Sequence, residues 1–76
     1  MFKVTINNFD KTLYIGIAKS VVLPSTEGEL AVLDFHQPII CRLTKGTIQI
    51  EHKWSIKVKD GLVSFSGDKL EAIVEI

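Results

Sequence analysis

Pro24-Ser25-Thr26-Glu27-Gly28-Glu29-Leu30, followed by His36-Gln37-Pro38-Ile39-Ile40, places a small polar turn and an acidic step ahead of an apolar run. Ser, Thr and Gly side by side are turn chemistry, since the hydroxyls bond local backbone and glycine tolerates positive φ. Outward from this stretch the chain alternates apolar and polar residues with a period of two. The alternation covers Phe2, Val4 and Ile6, then Ile48 and Ile50, then Trp54, Ile56 and Val58, then Val63 and Phe65, then Leu70, Ala72, Val74 and Ile76. Such a period marks half-buried strands. Turn signals fall at Asn7-Asn8, Ser25-Thr26-Glu27-Gly28, Lys45-Gly46, His52-Lys53, Asp60-Gly61 and Ser66-Gly67-Asp68, and no interval offers a long helix. Strands of this length each bury one face, so the reading is all-β. Two antiparallel sheets packed face to face, or a small closed barrel, satisfy it.

The order of these signals resembles the ε subunit of F-type ATP synthases across nearly the whole chain. In that family a strand ends at a small polar turn, a Glu-Gly-Glu-Leu step follows, and a His-x-Pro segment leads into the next strand. Tyr14-Ile15-Gly16 sits where the family has an aromatic shortly before a glycine. Lys45-Gly46-Thr47-Ile48 is similar to its Pro-Gly-x-Ile turn, and Asp60-Gly61-Leu62 to its late Gly-Gly hairpin. The resemblance selects the two-sheet antiparallel β-sandwich over the barrel, as one domain over residues 1–76. It implies a non-catalytic subunit of the rotor's central stalk, linking the γ shaft to the c ring beside α and β. It implies a place on the cytoplasmic face of a bacterial inner membrane, with membrane contact only through the complex. The family continues into a C-terminal helical hairpin that restrains ATP hydrolysis. Here the sequence stops at Ile76, so neither that hairpin nor its ATP site is expected.

Glu27 and Glu29 flank Gly28, which lets one loop present both carboxylates. Taken alone this is a solvated acidic loop, because exposed ion pairs contribute only about 0–1 kcal/mol. The resemblance makes Glu27, Gly28 and Glu29 the expected c-ring contact, with Glu29 the leading residue. Charges there orient docking more than they supply affinity. Ser25 and Thr26, which can cap the turn, join Phe35 and His36 as candidates for the γ or c-ring interface. Asp34-Phe35 replaces the Pro-Gly that the family commonly places before the His, implying a different backbone path. Periodicity leaves open whether Phe35 plugs the core or faces a partner.

Other functions find little support. Nine Lys plus Arg balance nine Asp plus Glu, so no net field gathers polyanions. Cys41 cannot form an internal disulfide and reads as a buried small hydrophobe in a reducing compartment. Met1-Phe2-Lys3-Val4-Thr5-Ile6 lacks a signal-peptide h-region, and nothing approaches the roughly 20 apolar residues of a membrane span. His36 lacks a second ligand at metal-site spacing, since His52 is sixteen positions away and Asp34 is the one close carboxylate. There is no Gly-x-Ser-x-Gly elbow, phosphate-binding Gly-rich loop or His-Glu-x-x-His pair, and no cofactor is expected. Trp54 reads as a core or edge anchor. Two rivals remain. Gly67-Asp68-Lys69 on a late hairpin suggests a lipoyl or biotinyl carrier domain, but the neighbours of Lys69 do not match. A small barrel binding single-stranded nucleic acid would need aromatics among clustered Arg and Lys, which Trp54 and Phe65 lack.

One apolar sheet face covered by γ is also expected, because a lone domain rarely leaves a large apolar patch bare.

Overall fold

Alternation in sequence becomes alternation in burial. In β1 (Phe2–Asn7) Phe2, Val4 and Ile6 are buried, and in β9 (Lys69–Glu75) Leu70, Ala72 and Val74 are. The computed structural model describes residues 1–76, in which seven further strands complete an all-β chain. They are β2 (Thr12–Ala18), β3 (Ser20–Ser25), β4 (Gly28–Leu33), β5 (Ile39–Leu43), β6 (Gly46–Ile50), β7 (Trp54–Val58) and β8 (Asp60–Ser66).

Hydrogen bonding runs without a break through β2-β1-β9-β8-β5-β3-β6-β7, with β4 on the free side of β3. The link between β5 and β3 is a single pair, Ser25 opposite Leu43. A five-stranded layer, β2-β1-β9-β8-β5, therefore meets a four-stranded layer, β4-β3-β6-β7, at one corner. Backbone bonds carry the ladder around it: Thr44 N–H donates to the Pro24 carbonyl at 2.8 Å and Thr26 N–H to the Arg42 carbonyl at 3.0 Å. The chain from β5 through Thr44 and Lys45 into β6 thus leaves one layer and joins the other, the usual way a sandwich turns a corner. Gly46 stands where this bend presses on β3. A Cβ there would lie 2.7 Å from the Cβ of Pro24, a separation no side chain tolerates without movement.

The sandwich architecture holds, but two details of the expectation need correction. The layers are parts of one curled sheet, and that sheet is mixed: β1 pairs with β9 in parallel, Lys3 opposite Lys69 through Asn7 opposite Ile73. Only strands joined by a tight turn must run antiparallel. β1 and β9 are far apart in sequence, so no hairpin fixes their relative direction.

Sixteen apolar residues form the buried core, and no polar or charged residue is buried with them. Phe65 is 1% exposed, with its ring edge-on to Phe2 at a centroid distance of 5.2 Å. Three smaller expectations also shift. Trp54 pairs with Ile50 but is 60% exposed, because β7 is an edge strand; it anchors an edge and not the core. Asp60-Gly61 opens β8 instead of forming a turn, with Lys59 alone carrying the chain from β7 into the other layer. Cys41 is half-buried, since β5 is the last strand of its layer; burial still pushes its thiol pKa up.

Candidate functional site

The β3–β4 turn is built from its own side chains. Ser25 pairs with Gly28, leaving Thr26 and Glu27 as the two turn residues. The Ser25 hydroxyl accepts the Glu27 N–H at 3.2 Å and donates to the Gly28 carbonyl, bracing the turn from inside. Thr26 contributes through its backbone bond to Arg42. Gly28 has φ 115°, a conformation L side chains rarely adopt, and nothing lies within 4 Å of where its Cβ would be. The glycine is therefore required by the backbone and not by crowding.

Glu27 and Glu29 are exposed, and neither takes part in an ion pair. They border a notch of about 400 Å³ between the turn and the first residues of β5, which includes Leu30, Ile39, Cys41 and Arg42. Arg42 could have neutralised them, but it is held elsewhere. Its Nη2 donates to Asp60 Oδ2 at 3.0 Å and its Nε to Oδ1 at 3.3 Å. That hydrogen bonding, with the Gly61 N–H at 2.8 Å, holds the Asp60 carboxyl below the usual carboxylate range. The two glutamates are left without an ion-pair partner at the turn end of the hairpin.

Phe35 and His36 lie elsewhere. Ser25 faces Gly28 at one end of the β3–β4 hairpin and Ser20 faces Leu33 at the other, five residue steps apart. At about 3.4 Å per residue the separation is roughly 17 Å. The structure therefore groups Ser25, Thr26, Glu27, Gly28 and Glu29 and leaves Phe35 and His36 at the opposite end. Phe35 has φ 65°, the left-handed conformation that glycine supplies, and is 99% exposed, so it does not plug the core. His36 is half-buried: its N–H donates to the Leu33 carbonyl at 3.2 Å, Nδ1 lies 2.7 Å from the Gln37 carbonyl, and the ring stands edge-on to Phe65 at 6.0 Å. Those contacts fasten the loop to the core. Lys69 is the first residue of β9, opposite Ser66 and Lys3, with Gly67 and Asp68 at the hairpin tip.

A second surface is larger than the turn. The side chains that β1, β2, β5, β8 and β9 turn away from the core include Ile15, Ile17, Ile40, Leu62 and Ile73, each more than half exposed. Leu62 pairs directly with Ile73, while Ile15 joins Thr5, Glu71, Ser64 and Ile40 in one cross-strand row. Beside Leu62 and Ile73 a groove of about 620 Å³ is flanked by Phe9, which is 97% exposed on the β1–β2 connection, and by Arg42 and Asp60. An apolar sheet face was expected without its location, because alternation detects only the inward half of a strand. Leu62 and Ile73, each next to a buried residue, were the available signal.

The family described as "ATP synthase, Delta/Epsilon chain, beta-sandwich domain" matches residues 1–76. The chain is 34% identical over 68 residues to the ATP synthase epsilon chain of Acaryochloris marina, covering 86% of this chain and 49% of that one. The corresponding protein of Trichodesmium erythraeum is 32% identical over 68 residues, covering 86% and 50%. A shorter stretch of 41 residues is 49% identical to ATP synthase epsilon chain 2 of Ralstonia nicotianae, covering 54% and 30%. The chain thus spans about half the length of the curated relatives it matches. Its fold is also that of a chain in "Cryo-EM structure of Tetrahymena thermophila mitochondrial ATP synthase - central stalk/cring", with TM-score 0.76 at 14% identity over 97% of this chain and 63% of the other. A curled nine-stranded sandwich with an acid-tipped hairpin, matched along its full length, belongs to the beta-sandwich domain family of the ATP synthase Delta/Epsilon chain.

Proposed function

We propose that this chain is a non-catalytic rotor component of an ATP synthase, held between the γ shaft and the c ring. The observation that carries the reading is the exposed aliphatic face of the five-stranded layer, with Leu62 and Ile73 paired at its centre. Leu62, Ile73 and Phe9 leave apolar side chains in water around one groove, and a protein partner is a usual cover for such a patch. γ is assigned to that face. The c ring is assigned to the β3–β4 turn, where the unpaired Glu27 and Glu29 project. Apolar contact then supplies affinity, and the acidic tip sets orientation.

The mechanism is mechanical. Torque passes through a block only if it does not yield, and a close-packed core has low compressibility. The unbroken ladder from β2 to β7 ties both layers into one body, so a load applied at the turn reaches the aliphatic face without an intervening linker. Ser25, Thr26, Phe35 and His36 are secondary contacts at the two ends of the β3–β4 hairpin. In this reading the chain resides on the cytoplasmic face of a bacterial inner membrane, attached through its complex.

Co-purification tests the reading. A tagged chain expressed in its host recovers γ with α and β, and Leu62→Arg with Ile73→Arg abolishes that recovery while leaving the β-type circular dichroism unchanged. Wild-type protein that recovers no synthase subunit refutes the rotor reading. An arginine variant that recovers them fully refutes only the choice of face.

A further inference from the structure

The β6–β7 end of the four-stranded layer gathers like charges. Gly46 pairs with Val58 and Thr47 with Lys57, and the ladder ends there, with Lys45 and Lys59 in the bends that flank it. Lys45, Lys57 and Lys59 are all exposed and line one groove of about 400 Å³ together with Thr47, over the apolar Val58 and Ile76. None of the three forms an ion pair; the two in the chain are the Met1 ammonium with Asp34 and Arg42 with Asp60. Three unpaired ammonium groups lining one groove make a positive patch that complements an anionic ligand.

We propose that this groove is a docking site for an acidic polypeptide segment, with the Lys45, Lys57 and Lys59 ammonium groups receiving its carboxylates and the lysine stems its aliphatic parts. Lysine suits the task because its stem packs on apolar surface while the ammonium reaches the ligand. The groove is concave, which fits an extended chain better than a flat lipid surface. Charge placement points the same way. Glu29 pairs with Pro24, and Pro24 lies against Gly46, so the acidic turn and the lysines belong to one layer in the order β4-β3-β6-β7. Three strand spacings of about 4.8 Å put Glu29 roughly 14 Å from Lys57, beyond the screening length of about 8 Å at physiological salt. An anionic bilayer meeting that layer would be repelled by Glu27 and Glu29 while attracted by the lysines. A protein partner can present each sign where it is wanted. The inference stands on this groove and does not depend on the rotor reading.

The experiment is a titration of the ¹⁵N-labelled chain with hexaglutamate peptide, followed by amide shifts, for the wild type and for Lys45→Gln with Lys57→Gln. Shifts concentrated at Thr47 and Lys57–Lys59, with a Kd at least tenfold weaker in the variant and weakening with added salt, support the site. The variant should also melt no lower than the wild type, since it loses repulsion and no packing. Shifts spread evenly over all lysines, equal affinity in the variant, or a lower melting temperature would each overturn it. Vesicles of phosphatidylcholine and phosphatidylglycerol at 3:1 form the second arm. Lysine-dependent retention on those vesicles, with no response to hexaglutamate, would overturn the peptide assignment in favour of lipid.

Discussion

Replacing Gly28 isolates the backbone cost of the acidic turn. Its φ is 115° and no atom lies within 4 Å of the position a Cβ would take, so Gly28→Ala adds no clash. What remains is the conformational penalty of an L residue at so positive a φ, about 1–3 kcal/mol. A small domain of 76 residues has a total stability of roughly 4–11 kcal/mol, so the loss is measurable. It corresponds to a fall in Tm of about 4–8 °C for each kcal/mol. Urea denaturation should show a lower midpoint with an unchanged slope, since the surface exposed on unfolding is the same. The chain is short enough for chemical synthesis, which permits a decisive control. D-Alanine carries the opposite chirality, finds positive φ comfortable, and loses less entropy than glycine on folding. Placed at position 28, it should match or exceed the stability of the wild type. If the L and D forms of alanine at that position gave the same midpoint, backbone strain would not be the reason for glycine at this turn.

Glu29→Lys should leave stability within about 0.5 kcal/mol, as exposed substitutions usually do, while weakening retention of the synthase headpiece on membranes in sedimentation assays. Phe65→Ala removes the ring that contacts both Phe2 and His36 and should cost about 3–5 kcal/mol by chemical denaturation, bringing the domain close to unfolding at 37 °C. Asp60 gives a pH signature. Its folded carboxyl sits below the unfolded value of about 3.9, so its contribution is present at neutral pH and disappears as pH falls through the lower folded pKa. Asp60→Asn should therefore be less stable than wild type at pH 7, with the difference shrinking as pH falls below about 4, measured by denaturant midpoints.

The strands legible in sequence were those with one polar face. β1, β6, β7, β8 and β9 declare themselves by alternation, and their inward residues are the ones buried, except at Trp54 and Ile56 on the edge strand and at Ile76 beyond β9. β2 and β4 do not, because Ile15 and Ile17 in one and Ala31 and Leu33 in the other put apolar residues on the outer side as well. The same surplus of apolar surface that hides these strands from periodicity creates a face for a partner. Strand direction was invisible for a different reason: an in-and-out pattern reads identically both ways, so the parallel pairing of β1 with β9 left no trace. The acidic turn was legible down to Ser25 and Gly28, since its chemistry is local. That Phe35 and His36 stand at the other end of the hairpin depends on the length of β4, and the gathering of Lys45, Lys57 and Lys59 along one groove depends on how β6 pairs with β7. Neither can be read from spacing alone.

The parallel contact of β1 and β9 carries a cost in time. Lys3 meets Lys69, which lies 66 positions later in the sequence, 69 minus 3. At about 5–20 residues per second a ribosome needs roughly 3–13 s to add that many. Until Lys69 is added, β1 has its β9 edge unoccupied, and the five-stranded layer has no centre. Birth of this domain is therefore a wait, during which the nascent chain is open to wrong strand partners and to chaperones until β9 emerges.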